Sequence, residues 1–255
     1  MSEGQTAMID HLTQEIHQSE TVDGVTVTVD SATVGDDNFF LLLRVEGADF
    51  SKRLGYRFKE MTMEFSPDPT EADDGLGGYG LQYQGLDGDG SALMLMDMGY
   101  ASSKGFQADT SPLEVTLTLT DLVESGGNHE ELLTQGTWSF AFTLDRSRIP
   151  APVPLPDTTI EVSDQSREHT IQVELTDIQV TNTGVRFQYS PSRAAMDEFR
   201  VTLILENGTE IRDGGSFGTG VEDGDGIFVS YQWSVPADLE EAAALRIGDV
   251  EIPIP

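Results

Sequence analysis

The chain has 255 residues, 38% of them hydrophobic, which suits two domains of ordinary size with a core each. Its 14 Lys+Arg face 45 Asp+Glu, a formal net charge of −31, so the surface repels nucleic acid and anionic headgroups and neither is expected as a partner. Cysteine is absent, which removes thiol catalysis, Cys-ligated zinc and disulfides.

Residues 1–20 read as an N-terminal tether. Within it, Thr6 to Gln18 carries Met8, Leu12 and Ile16 at a spacing of four, which predicts a short helix. From Thr21 the period falls to two: Val25, Val27 and Val29 face one way, Thr26, Thr28 and Asp30 the other, as in a half-buried strand. Phe39–Val45 is apolar on both faces and predicts a central strand; Met61, Met63 and Phe65 alternate again. Pro67 to Gly90 reads as an acidic, Gly-rich insertion without strong periodicity. Leu93–Met98, Val115–Leu119 and the run Trp138, Phe140, Phe142, Leu144 complete a first β-domain over residues 21–149. Ile149 to Asp157 has proline at every second position, which predicts an extended connector or an edge strand and places the linker at 150–157. The second domain, 158–255, has strands at Ile171–Leu175, Val185–Tyr189, Val201–Leu205, Ile227–Trp233 and Leu245–Ile252. Asn207-Gly208 predicts a hairpin turn, because both residues can take positive φ, and Pro236 to Leu245 predicts a short helix.

Gly24–Val45 and Thr170–Pro191 superimpose without a gap at an offset of 171 − 25 = 146. Val27 meets Val173, Val29 meets Leu175, Val34 meets Val180 and Leu41 meets Phe187. One β-domain is therefore used twice. With no βαβ rhythm, the expectation is all-β: two tandem Ig-like β-sandwiches behind a short N-terminal helix or tether.

The motifs are sparse. Gly75-Leu-Gly77-Gly78-Tyr-Gly80 matches GxGxxG, but it follows Glu71-Ala72-Asp73-Asp74 and no helix comes after it, so it reads as a loop rather than a dinucleotide site. Asp87-Gly-Asp89-Gly and Asp223-Gly-Asp225-Gly offer two carboxylates each, fewer than a calcium loop gathers, and turn chemistry accounts for them. Asp87, Asp89, Asp223 and Asp225 are the candidates for calcium. His11, His17, His129 and His169 form no HExxH pair, and no serine sits in a GxSxG elbow. No catalytic residue and no cofactor is assigned, and an enzyme is not expected. Trp138 and Trp233 read as core anchors, one per domain.

The phrases QSETVDGVTVTVDSA (Gln18–Ala32), FFLLLRVEG (Phe39–Gly47), GTWSFAFTLDRSRI (Gly136–Ile149) and TIQVELTDIQVTNTGVRFQYS (Thr170–Ser190) carry a resemblance. The chain resembles the ectodomain of unknown function of membrane-anchored, anti-sigma-factor-like proteins from Gram-positive bacteria, with the Ig-like C-terminal domain that follows it. The resemblance implies the outer face of the cell membrane, an anchor helix absent from this chain, a protein or cell-envelope partner, and a monomer as a soluble fragment. The function expected is sensing or interaction without catalysis. The alternative is a surface module that binds carbohydrate or calcium.

Overall fold

Hydroxyl pairing decides how the chain begins. The computed structural model describes residues 3–36, 38–50, 55–66, 76–101, 111–126, 129–220 and 225–255. Helix α1 (Glu3–Leu12) ends sooner than the four-residue spacing predicts, and Thr13–Val22 is strand β1. Here Thr13, Ser19 and Thr21 pair their hydroxyls with Thr33, Thr28 and Thr26 of β2 (Val25–Val34) at 2.8, 2.9 and 2.8 Å. Such cross-strand pairs favour the sheet over another turn of helix. Ile16, read as the third residue of a helical stripe, packs on the first core from a strand instead.

After β2 come β3 (Asn38–Glu46), β4 (Gly55–Ser66), β5 (Leu76–Leu86), β6 (Ala92–Ala101), β7 (Leu113–Gly126) and β8 (His129–Leu144). They form an antiparallel sheet of order β1-β2-β3-β6-β5 facing a second of order β4-β7-β8. Val25, Val27 and Val29 meet Leu41, Leu43, Met94, Met96, Leu117 and Trp138 in one core. Trp138 is fully buried, and its indole donates to the Val25 carbonyl at 3.2 Å.

The second half repeats this. After the short β9 (Val153–Pro154) come β10 (Thr158–Ser163), β11 (Thr170–Val180), β12 (Gly184–Ser190), β13 (Val201–Leu205), β14 (Glu210–Gly220), β15 (Ile227–Trp233), β16 (Ala242–Ile247) and β17 (Val250–Pro253). Their order, β10-β11-β12-β15-β14 with β13-β16-β17, is that of the first half strand for strand. Without β1 and β10, each half has the ABED and CFG sheets of a constant-type immunoglobulin domain. The offset of 146 survives in the hydrogen-bond register: Val29 pairs Leu43 as Leu175 pairs Tyr189, and Val34 pairs Phe39 as Val180 pairs Val185. Both pairings are interrupted in the same stretch, between Val29 and Ser31 in the first and, displaced by a residue or two, between Thr176 and Gln179 in the second. A separate core collects Val173, Leu175, Phe187, Phe199, Leu203, Tyr231 and Trp233. One difference stands out. In the second half β14 belongs to both layers, its Glu210–Arg212 end pairing β13 and its Asp213–Gly220 end pairing β15.

Three expectations change. Leu76–Leu86 is an ordered strand on β6, so Gly77, Gly78 and Gly80 of the GxGxxG string lie in a sheet rather than a loop; Gly75 and residues 67–74 lie outside the described residues. The helix predicted over Pro236–Leu245 shrinks to one 3-10 turn, Leu239–Glu241, capped by Asp238. From Ala242 onward, pairing with β13 and burial of Leu245 and Ile247 override the helical preference of alanine. The Asn207-Gly208 hairpin forms, but positive φ is taken by Gly208 (φ 81°), while Asn207 accepts from the Thr209 amide through its side chain at 2.8 Å. The proline-rich segment contributes an edge: Val153–Pro154 pair β11, and Leu155 is buried with the second core.

Leu41 and Phe187 occupy the same position of the repeat, and both are wholly buried. Leu41→Ala is expected to lower stability by about 3 kcal/mol and Phe187→Ala by about 4 kcal/mol, measured by urea denaturation. Losses below about 1 kcal/mol would contradict the two-core arrangement.

Candidate functional site

The turn between β5 and β6 carries the first DGDG string. Asp87 Oδ1 accepts from the Asp89 amide at 2.9 Å, and Asp89 Oδ1 accepts from the Ser91 amide at 2.9 Å and from its hydroxyl at 2.5 Å. The remaining carboxylate oxygens turn to Arg44 of β3, which donates to Asp30 at 3.1 Å and to Asp87 at 2.6 Å and lies 3.7 Å from Asp89. A guanidinium thus stands where these three carboxylates converge, and the side-chain donors that answer them come from the protein. Asp225 lies in the other sandwich, where it takes the Ser192 amide at 3.2 Å together with the Ser192 hydroxyl. Asp223 lies outside the described residues. The calcium candidates are therefore split between two sandwiches, and among the described residues no group of three His, Cys, Asp or Glu is placed to hold a metal ion.

The same device recurs. Asp145, Asp164 and Asp225 are each held below the ordinary aspartate range, with a serine hydroxyl, from Ser147, Ser166 and Ser192, as the leading cause. Glu198 is lowered first by the Ser163 amide. Asp89 falls from its ordinary 3.8 to about 2, through hydrogen bonding first with the Asp87 side chain and then with Ser91. A carboxyl whose folded pKa is depressed stabilises the fold above its unfolded value, and that contribution is lost as pH falls through the folded value. For Asp89 the window runs from pH 3.8 down to about 2. Stability measured by denaturation at stepped pH is expected to fall across that window, and Asp89→Asn to flatten part of the fall. An identical slope in the variant would refute the assignment.

The most strongly built feature lies where the sandwiches meet. Asp36, in the turn between β2 and β3, and Arg186 of β12 are 1% and 3% exposed, and the Arg186 guanidinium donates to the Asp36 carboxylate. Gln179 fixes the other side of the guanidinium, its Oε1 accepting from Nε at 3.1 Å and from Nη2 at 2.5 Å. The Asp36 amide donates to Thr183 Oγ1 at 3.3 Å. Gly35 is required here, because a Cβ would lie 2.3 Å from that same hydroxyl oxygen. Thr183 is itself held, its carbonyl accepting from the Trp233 amide at 2.8 Å. Helix α1 straps the join: Gly4 lies against Glu241, the Asn182 amide meets Met8 Sδ at 3.4 Å, and His11 bonds the Arg148 carbonyl at 3.0 Å. Nothing in the hydrophobic pattern marked Asp36 or Arg186, since both sit beside turns in a chain rich in charge. Breaking a buried pair strands one charge, so Arg186→Ala is expected to cost roughly 3–5 kcal/mol, whereas Arg186→Met with Asp36→Leu recovers most of it. Urea melts followed by the two tryptophans, one in each core, read both variants.

No family model matches the chain, and no curated protein matches it. Among solved structures it is similar to a conserved domain protein from Bacillus anthracis, with 13% sequence identity and a TM-score of 0.54 over 93% of this chain and 77% of that one. That likeness is one of fold.

Proposed function

We propose that the chain is the extracytoplasmic interaction or sensing part of a membrane-anchored, anti-sigma-factor-like protein and performs no catalysis. The observation that supports this reading is the junction. The buried pair Arg186–Asp36 and the strap of α1 hold two Ig-like sandwiches in one relation, so an anchor preceding α1 would enter the body where the domains meet. A load or a ligand on either sandwich then reaches the N-terminal segment directly. The carbohydrate- or calcium-binding alternative has less behind it: Arg44 answers the Asp87 turn, and the exposed large hydrophobics among the described residues, Tyr79, Leu86 and Leu132, include a single aromatic.

The absence of native cysteine makes the topology measurable. Leu132 is 52% exposed, so Leu132→Cys gives these 255 residues a single, accessible thiol, with the unsubstituted protein as the labelling control. A membrane-impermeant maleimide is expected to label it in intact cells, with the labelled protein in the membrane fraction. Labelling only after lysis would sink the proposal.

A further inference from the structure

Strand β1 is the outermost of its sheet, and none of its ten residues is buried. Gln14, Gln18 and Glu20 stand at core-facing positions, opposite the wholly buried Ala32, Val29 and Val27 in the ladder with β2. Such inward positions of a sandwich ordinarily carry apolar side chains that interdigitate with the facing sheet. Here amides and a carboxylate reach across to β8 instead. Gln14 Nε2 donates to the Thr143 carbonyl at 2.5 Å, and its Oε1 accepts from the Asp145 amide at 3.0 Å. Gln18 Nε2 donates to the Ala141 carbonyl at 2.8 Å, and Glu20 accepts from the Ser139 amide. β8 is the last strand of the second sheet, so these backbone groups are the ones its edge leaves open.

The other sandwich supplies the comparison. Thr158, Ile160 and Val162 of β10 pair Leu175, Val173 and Ile171, the repeat's counterparts of Val29, Val27 and Val25. They therefore hold the register of Gln18, Glu20 and Val22. Ile160 and Val162 are buried in the second core, whereas Val22 is only half-buried. The β10 ladder also runs without interruption, while that of β1 skips Ile16 and His17, with His17 in the left-handed region at φ 52°. β1 is thus held by hydrogen bonds near solvent rather than by apolar burial, the condition under which a segment opens on its own. Both of its flanks are fixed, since Leu12 before it and Val25 after it are buried.

We propose that β1 is a releasable clasp: residues 13–22 detach from both sheets while α1 and the two sandwiches stay folded, uncovering the edges of β2 and β8. Release slackens the connection between the first sandwich and α1, the helix that straps the junction. The inference goes beyond the interaction reading and does not rest on it, because it is tested on the purified chain and not by location.

Native-state hydrogen exchange on the ¹⁵N-labelled full chain, read amide by amide at low, stepped urea, is the test. The ladder amides of β1 are expected to exchange at least about a hundredfold faster than those of β3 in the same sandwich and of β10 in the other, at rates that hardly change with urea, as a local opening requires. Gln14→Ala with Gln18→Ala is expected to quicken exchange in β1 by roughly tenfold or more, the scale of hydrogen bonds lost to β8, and to leave β10 unchanged. The unsubstituted chain decides the matter even where the double variant folds poorly. Protection of β1 equal to that of β3 or β10, or β1 rates that climb with urea in step with β3, would overturn the proposal. So would a double variant that leaves β1 unchanged or quickens β10 as much as β1.

Discussion

Asp36 brings a carboxylate out of the first sandwich into a space that the second fills with Arg186, and no water-facing route remains for either charge. Taking two ions out of water is expensive, and attraction between them offsets that only when geometry is good and the leftover donors are used. Gln179 uses them, and Thr183 takes the Asp36 amide. The arrangement favours specificity over raw stability: an apolar junction would tolerate sliding and rotation, whereas a buried pair is satisfied in one relation of the domains. Gly35 follows from the same requirement, since a side chain there would hold the two turns apart.

Most of the architecture was legible because it is written in period two and then written again. The valines of β2 and their counterparts in β11 predicted both the strands and their core-facing sides, and the matching offset held down to individual ladder pairs on either side of the irregularity after Val29. What the pattern could not show was competition. The stretch after Leu12 satisfied a helical spacing through Ile16, yet its threonines and serine meet hydroxyls on β2 only when extended. Glycine-rich β5 hid because Gly77, Gly78 and Gly80 blur the period of two, although Leu81 and Tyr83 pack on the first core and the backbone pairs β6. The alanines of β16 prefer a helix until β13 offers them partners.

The junction could have been found by looking at where the two copies disagree. Position 40 is Phe40 in the first copy, and at the offset of 146 it becomes Arg186. Leu42 likewise becomes Gln188, so one face of the strand turns from apolar to polar between the copies, a departure that packing within a sandwich does not call for. The acidity, by contrast, is informative only locally. Aspartates that look interchangeable in composition differ in what they hold: Asp145 and Asp164 tie serine turns, Asp225 takes the distant Ser192, Asp30 and Asp87 ring Arg44, and Asp89 takes Ser91 beside the same guanidinium.

The path of β14 has a mechanical consequence. In the second sandwich one unbroken strand is stitched into both layers, through β13 at one end and β15 at the other, so the layers cannot peel apart without tearing backbone ladder. In the first, β5 stays in the sheet of β6, and its layers are held by side-chain packing, by the connecting loops and by side-chain hydrogen bonds, such as those from Gln18 to the Ala141 carbonyl and from Trp138 to the Val25 carbonyl, with no shared backbone ladder. Pulled from its ends, the molecule is a pair of unlike springs: a first sandwich that can shear open along its core, and a second that must unzip.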